Sequence, residues 1–298
     1  MGLDAELRRL AGELGADFYG VADLSPVRGV VVEQGGEMLA EYDRAISVGI
    51  RMVDEIVDLL PGHRDELAVA TGYLRHCYDV INNRLDEMTS RLAGVLQREG
   101  MKAMPITAAE RHDDVGIRAV FSNKMAARLA GLGWVGKSCL LVTPTVGPRA
   151  RWASVLTVAP LQPTGSPLEE ACGSCAECVE ICPIGAFTGR TFREEEPREA
   201  RYDARACETY LKRIREETGC ASPPAPTADA PDDIKTGKRR ALPELIEVDR
   251  PANARSPRRH DALVIRVPHA LLHPRVSGLA EIERDPQDLA LLVHHILR

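Results

Sequence analysis

Apolar residues recur along this chain at two spacings. From Leu3 to Leu14 the positions Leu3, Leu7, Leu10, Ala11 and Leu14 step by three or four, the period of one helix face. FYGVAD after Gly15 and AISVGI further on read as strands. Between Asp65 and Gly100 the apolar set Leu67, Ala70, Leu74, Cys77, Ile81, Leu85, Met88, Leu92 and Val95 keeps helical spacing, with charges in the gaps, so one long amphipathic helix is expected. Gly100 is its stop, and MKAMPIT follows as a strand. Ser122 is the expected cap of a helix through NKMAARLAG, after which SCLLVT and RWASVLTV read as strands. Helices alternating with strands predict an α/β fold.

The punctuation changes after this point. Pro160, Pro163, Gly165 and Pro167 mark a linker, which places a domain boundary near 165. A cysteine-rich segment covers 166–220, with ACETYLKRIREE as a helix within it. The stretch 221–298 carries ten of the twenty prolines and five of the eight histidines, but none of the twelve aromatic residues. A packed domain without one aromatic lacks the largest apolar contributors, so a poorly ordered tail is expected. Its end, DLALLVHHILR, has the pattern of a helix.

Composition narrows the functional classes. A formal charge of −6 argues against a generally nucleic-acid-coating surface, though a local basic patch is compatible with it. No run approaches the roughly 20 apolar residues that span a bilayer, and MGLDAELRRL lacks a signal-peptide core, so a cytoplasmic protein away from membranes is expected. In that compartment the eight cysteines should be thiols or metal ligands.

Four of them form Cys172-x2-Cys175-x2-Cys178-x3-Cys182-Pro183, the bacterial ferredoxin spacing. Three close thiolates wrap three corners of one cubane, and in two-cluster ferredoxins the fourth cysteine serves the other cluster. Zinc knuckles instead pair two Cys-x2-Cys units across a longer gap. The candidate ligands of one or two [4Fe-4S] clusters are Cys172, Cys175, Cys178, Cys182, Cys207 and Cys220. No second Cys-x2-Cys follows. The codons from Gly219 to Asp229, read one frame away, permit a Cys-x3-Cys-Pro ending, which makes a frame-shifted tail one reading of 221–298. Cys77 and Cys139 lie in apolar patterns and read as core residues.

Gly131-Leu132-Gly133-Trp134-Val135-Gly136-Lys137-Ser138 matches the letters of a phosphate loop, but it joins a helix to a strand, the reverse of the required order. Together with LAGELGADFYGVADL, YDRAISVGI, TPTVGPRARWASVLTVAPL and CGSCAECVEICPIGAF, this turn resembles the epoxyqueuosine reductase family. The resemblance covers about residues 1–220. It implies a corrinoid-type α/β domain over 1–165 and a ferredoxin-like domain over 166–220. It further implies electron flow from clusters through a cobalamin to a modified base in tRNA, and a protein electron donor. By the same resemblance Gly131, Gly133, Trp134, Gly136 and Lys137 would lie near the corrinoid, with Arg149 and Arg151 at its edge.

Where the family carries an acidic proton donor, this chain reads Ile117-Arg118-Ala119-Val120. Glu110, Asp113, Asp114 and His112 are near in sequence but out of register, and a solvated turn is the simpler reading of AAERHDDVG. No catalytic residue is assigned. A ferredoxin-like electron carrier without a substrate of its own, and a degenerate family member, are the alternatives.

Overall fold

A computed structural model describes residues 2–63, 66–109 and 111–217. Glu110, Cys220 and the whole stretch 221–298 lie outside the described residues, as do the readings attached to them.

Helix α1 (Leu3–Glu13) buries Leu7 and Ala11 and leads into β1 (Phe18–Asp23). Helix α2 (Arg28–Gly35), strand β2 (Arg44–Arg51) and helix α3 (Asp54–His63) follow. The expected long helix is present in three pieces: α4 (Leu67–Gly72), a π-helical stretch Tyr73–Val80, and α5 (Ile81–Arg98). A π turn admits an extra residue while the chain stays helical. Strand β3 is Ala103–Ile106 and helix α6 is Asn123–Leu129, whose cap is Ser122: its Oγ accepts the Met125 N–H at 3.3 Å. The short strands β4 (Trp134–Val135) and β5 (Leu141–Val142) pair with each other, so SCLLVT is strand only at its end. Then come β6 (Ala150–Thr157), α7 (Glu177–Glu180) and α8 (Ala204–Glu217).

The main sheet runs β1-β2-β6-β3, and every pair in it is antiparallel. The fold is mixed α/β, as expected, without the parallel pairing that alternating helices and strands usually signal. Side chains alternate across each strand. Val21, Ile46, Val48, Ile50, Ala153 and Val155 therefore share one face with Leu7 of α1 and with Leu85, Met88, Leu92 and Leu96 of α5. Ala22, Ala45 and Leu156 face the other way and meet Val31 of α2 and Ala126, Leu129 and Ala130 at α6. Every residue of β6 is buried, as befits a central strand covered on both faces.

A separate apolar cluster gathers Leu140, Ala186, Phe187, Tyr202, Ala204 and Leu211 around Cys139, Cys182 and Cys207. Phe187 and Tyr202 stack there at 5.3 Å between ring centroids. No described helix is long and apolar enough to cross a membrane.

Candidate iron–sulfur site

The glycine turn and the cysteine run, about 40 residues apart in sequence, meet in space. A Cβ placed on Gly136 would lie 3.3 Å from Cys172 Sγ, so a glycine there lets the turn approach the thiol closely. Lys137 Nζ donates to the carbonyls of Gly173 at 2.8 Å and Cys175 at 2.9 Å. The Lys137 backbone N–H faces the Cys172 thiol. One lysine thus holds the loop by its carbonyls while its own amide stabilises a sulfur.

The thiols grade from wet to dry. Cys175 is exposed, Cys172 and Cys178 are half-buried, and Cys182, Cys207 and Cys139 are buried. Burial pushes the Cys172 thiol up, Glu170 adds to that, and the Lys137 amide opposes both. Burial also raises Cys178, helped by the neighbouring Cys172 and Cys175 and, more weakly, by Cys139. In their thiolate form these groups would repel one another, and a bound cation would relieve that. Cys182 Sγ accepts the Ala186 N–H at 3.3 Å, and the Glu170 carboxylate accepts the Cys172 N–H at 2.6 Å.

These observations test the fit of an iron–sulfur group. Thiolate ligands with amide donors at the sulfur are the donor chemistry such a cluster takes. Trp134 Nε1 supplies another sign: it is buried beside Cys172, and although it lowers that thiol, it makes no hydrogen bond of ordinary geometry. A buried N–H without an acceptor is costly, and thiolate or sulfide at this corner would accept it. Among the described residues no three His, Cys, Asp or Glu side chains converge closely enough to hold a single metal ion. A cubane asks for wider spacing, because its own iron and sulfide atoms separate the corners. The cysteines fit the cluster.

Of the residues named for the corrinoid, Gly131, Gly133, Arg149 and Arg151 meet other parts of the chain. Gly131 would meet the backbone of Gly165 and Ser166 at 3.1 Å, and Gly133 would meet the Val142 carbonyl, so both turn toward the chain itself. Arg149 pairs with Asp58 at 2.7 Å and Asp54 at 3.3 Å. Arg151 is buried, donates to Asn82 Oδ1 at 2.6 Å and stacks over the Tyr78 ring at 3.7 Å. Its neighbour Trp152 packs on the opposite sheet face with Leu132, so Arg151 and the glycine turn are on different sides. The cavity beside Trp134, lined also by Arg128, Glu170 and Phe192, encloses about 270 Å³.

Two of the acids named near residues 117–120 make local contacts. Asp113 accepts the Gly116 N–H at 2.8 Å, which holds its carboxyl low. Asp114 pairs with Arg111 at 3.2 Å. Cys139, read from the sequence as a core residue, is buried in the apolar cluster of Cys182 and Cys207. Sequence reading passed over Glu208, where Arg111, Arg205 and Lys212 converge. Cys77, by contrast, is a buried residue of the sheet core.

No family model matches the chain. It is 27% identical over 208 residues to an epoxyqueuosine reductase of Pseudomonas aeruginosa, covering 66% of this chain and 50% of that protein. It is 40% identical over 85 residues to the one of Escherichia coli, covering 28% and 20%. The chain spans between 20% and 50% of the length of the curated relatives it matches. A solved catabolic reductive dehalogenase superposes on 68% of this chain and 28% of its own, at 21% identity and a TM-score of 0.50, a likeness of fold. The chain is thus similar in sequence to epoxyqueuosine reductases and in fold to a reductive dehalogenase.

Proposed function

We propose that the chain is an iron–sulfur reductase related in reaction class to the epoxyqueuosine reductases it resembles. The observation that supports this most is the clasp of the glycine turn on the cysteine run, in which Lys137 and Gly136 meet the loop of Cys172 and Cys175. In this reading Cys172, Cys175 and Cys178 hold one cluster, while Cys182 and Cys207, with Cys220 beyond the described residues, belong to a second. When bound, the clusters supply single electrons. The Lys137 amide and the Ala186 N–H place donors at the sulfurs of Cys172 and Cys182, and the Lys137 ammonium sits on the carbonyls of the same loop, which favours the more negative reduced state. Cys175, the most exposed thiol of the run, lies where a protein electron donor would dock. Residues 1–165 act as the scaffold that presents substrate, with a modified base in tRNA as the class suggested by the relatives' name.

A second reading is an electron carrier without its own substrate. Removing an epoxide oxygen as water consumes two electrons and two protons, and Ile117-Arg118-Ala119-Val120 stands where the family's acidic proton donor would be. Anaerobic purification followed by iron, sulfide and corrinoid analysis, and then an assay on an epoxyqueuosine-bearing tRNA stem loop with a low-potential reductant, separates the two. Reductant-dependent loss of the epoxide supports the reductase. Full iron and sulfide with an unchanged stem loop supports the carrier, and a chain that takes up neither iron nor sulfide overturns both.

A further inference from the structure

Trp134 carries a hydrogen-bond donor to a place where the described residues give it no acceptor. Its ring is half-buried, yet Nε1 is shut off from solvent and makes no hydrogen bond of ordinary geometry. A buried N–H left in that state is costly, because it has given up water and gained nothing. The arrangement calls for an acceptor at that point.

The fold fixes where the indole is held. Trp134 pairs with Val142 across β4 and β5, and two residues further on a Cβ at Gly136 would meet Val142 Cγ2 at 2.9 Å and stand 3.3 Å from Cys172 Sγ. Glycine thus lets the strand end close on that sulfur. The Trp134 indole N–H and the Lys137 backbone N–H are both turned toward the Cys172 thiol. On the other side of the cysteine, Glu170 Oε1 accepts the Cys172 N–H at 2.6 Å, and Trp134 and Glu170 share the wall of the cavity of about 270 Å³. One cysteine is met by a neutral donor and by a carboxylate.

We propose that Trp134 sets the reduction potential of the cluster held by Cys172, Cys175 and Cys178 by donating its indole N–H to the Cys172 thiolate, and that Glu170 opposes it from the adjoining wall. On reduction one electron enters and no bond forms or breaks. The added negative charge spreads onto the thiolates, where a donated hydrogen bond stabilises it and a nearby carboxylate repels it. The two side chains therefore pull the potential in opposite directions. This rests on the iron–sulfur reading above.

Redox titration of the anaerobically reconstituted chain, followed by EPR with dithionite as reductant, tests it. Trp134→Phe keeps an aromatic ring and removes the N–H. With full iron and sulfide, it should move the cluster signal that Cys175→Ser abolishes to more negative potential, leaving roughly tenfold less of it reduced at a fixed potential, about 59 mV for a one-electron couple. Glu170→Gln keeps an acceptor for the Cys172 N–H but removes the charge, and should move the same signal the opposite way. An unmoved midpoint in loaded Trp134→Phe, a shift confined to another signal, or a negative shift in Glu170→Gln overturns the proposal. Should Trp134→Phe load poorly, the unaltered chain decides the matter. It has two tryptophans, and Trp152 lies among the buried residues of the sheet, so an isotope label on the indole nitrogens is easily assigned. Pulsed EPR of the reduced, labelled chain should show one indole nitrogen coupled to the cluster, and no coupling overturns the proposal. Failure of the iron–sulfur reading looks different, since the unaltered chain would then give no cluster signal at all.

Discussion

Around α5 the core closes on Leu85, Leu92 and Leu96, each fully buried, whereas among the described side chains of α8 the buried ones are Ala204, Cys207, Glu208 and Leu211. The sheet region is held by apolar burial on both faces of β2 and β6. In the cysteine segment a smaller apolar cluster is supplemented by arginines that reach across the chain. Arg198 donates to the carbonyls of Ile117 and Gly116 at 2.8 Å each, and Arg205 donates to that of Val115 at 2.5 Å. The contrast teaches where a bound group would matter most: a segment with a small core gains the most from metal ligation, because binding free energy becomes folding free energy.

The sharpest test of that contrast is Cys175→Ser. It touches no buried apolar residue, yet it should remove one cluster's absorption and EPR signal after anaerobic reconstitution while leaving the circular dichroism of the sheet region intact. An unchanged spectrum would mean that the ligands are assigned wrongly. Leu85→Ala probes the other region and should cost about 2–5 kcal/mol in denaturant unfolding, as expected for a large-to-small change at a fully buried site. Below the melting transition its iron per chain should match the unaltered protein; a parallel loss of iron would show that the two regions are not independent.

Glu208→Gln is a smaller perturbation confined to the cysteine segment. Burial alone would raise this carboxyl, but hydrogen bonds from Arg111 and Lys212 outweigh it and drive it from 4.5 down to about 2. A depressed carboxyl contributes stability that is complete above pH 4.5 and lost as the pH falls toward 2. The substitution should cost about 1–3 kcal/mol at neutral pH and flatten the acid limb of the stability profile. An acid limb of unchanged slope would assign that dependence to other carboxylates. The smallest expected effect is at the α6 cap, where Ser122→Ala should lower the unfolding free energy by about 1 kcal/mol and leave the clusters untouched.

Where local spacing was enough, the elements were legible before folding. The strands β1 and β6, the Ser122 cap, the α8 helix and the cysteine run each depend on residues within a few positions of one another. Helices α2 and α3 were not legible. The first is built on Val30, Val31 and Val32, β-branched residues that favour strands, and the second contains Pro61 and Gly62. In both, burial of a few side chains, Val31 in one and Val57 and Leu60 in the other, overrides propensity.

The glycine turn and the cysteine run could each be read from the chain as a motif, because their chemistry is written in consecutive residues. That one clasps the other was decided only by the tertiary structure, which brings Lys137 to the carbonyls of Gly173 and Cys175. The same holds for the two arginines: the family resemblance placed them at a corrinoid's edge, and strand alternation sends Arg151 to the face of α5. Cys139 shows the difference most plainly. In sequence it is one apolar position among several, and only the backbone turn and the convergence of a distant segment make it a neighbour of Cys178.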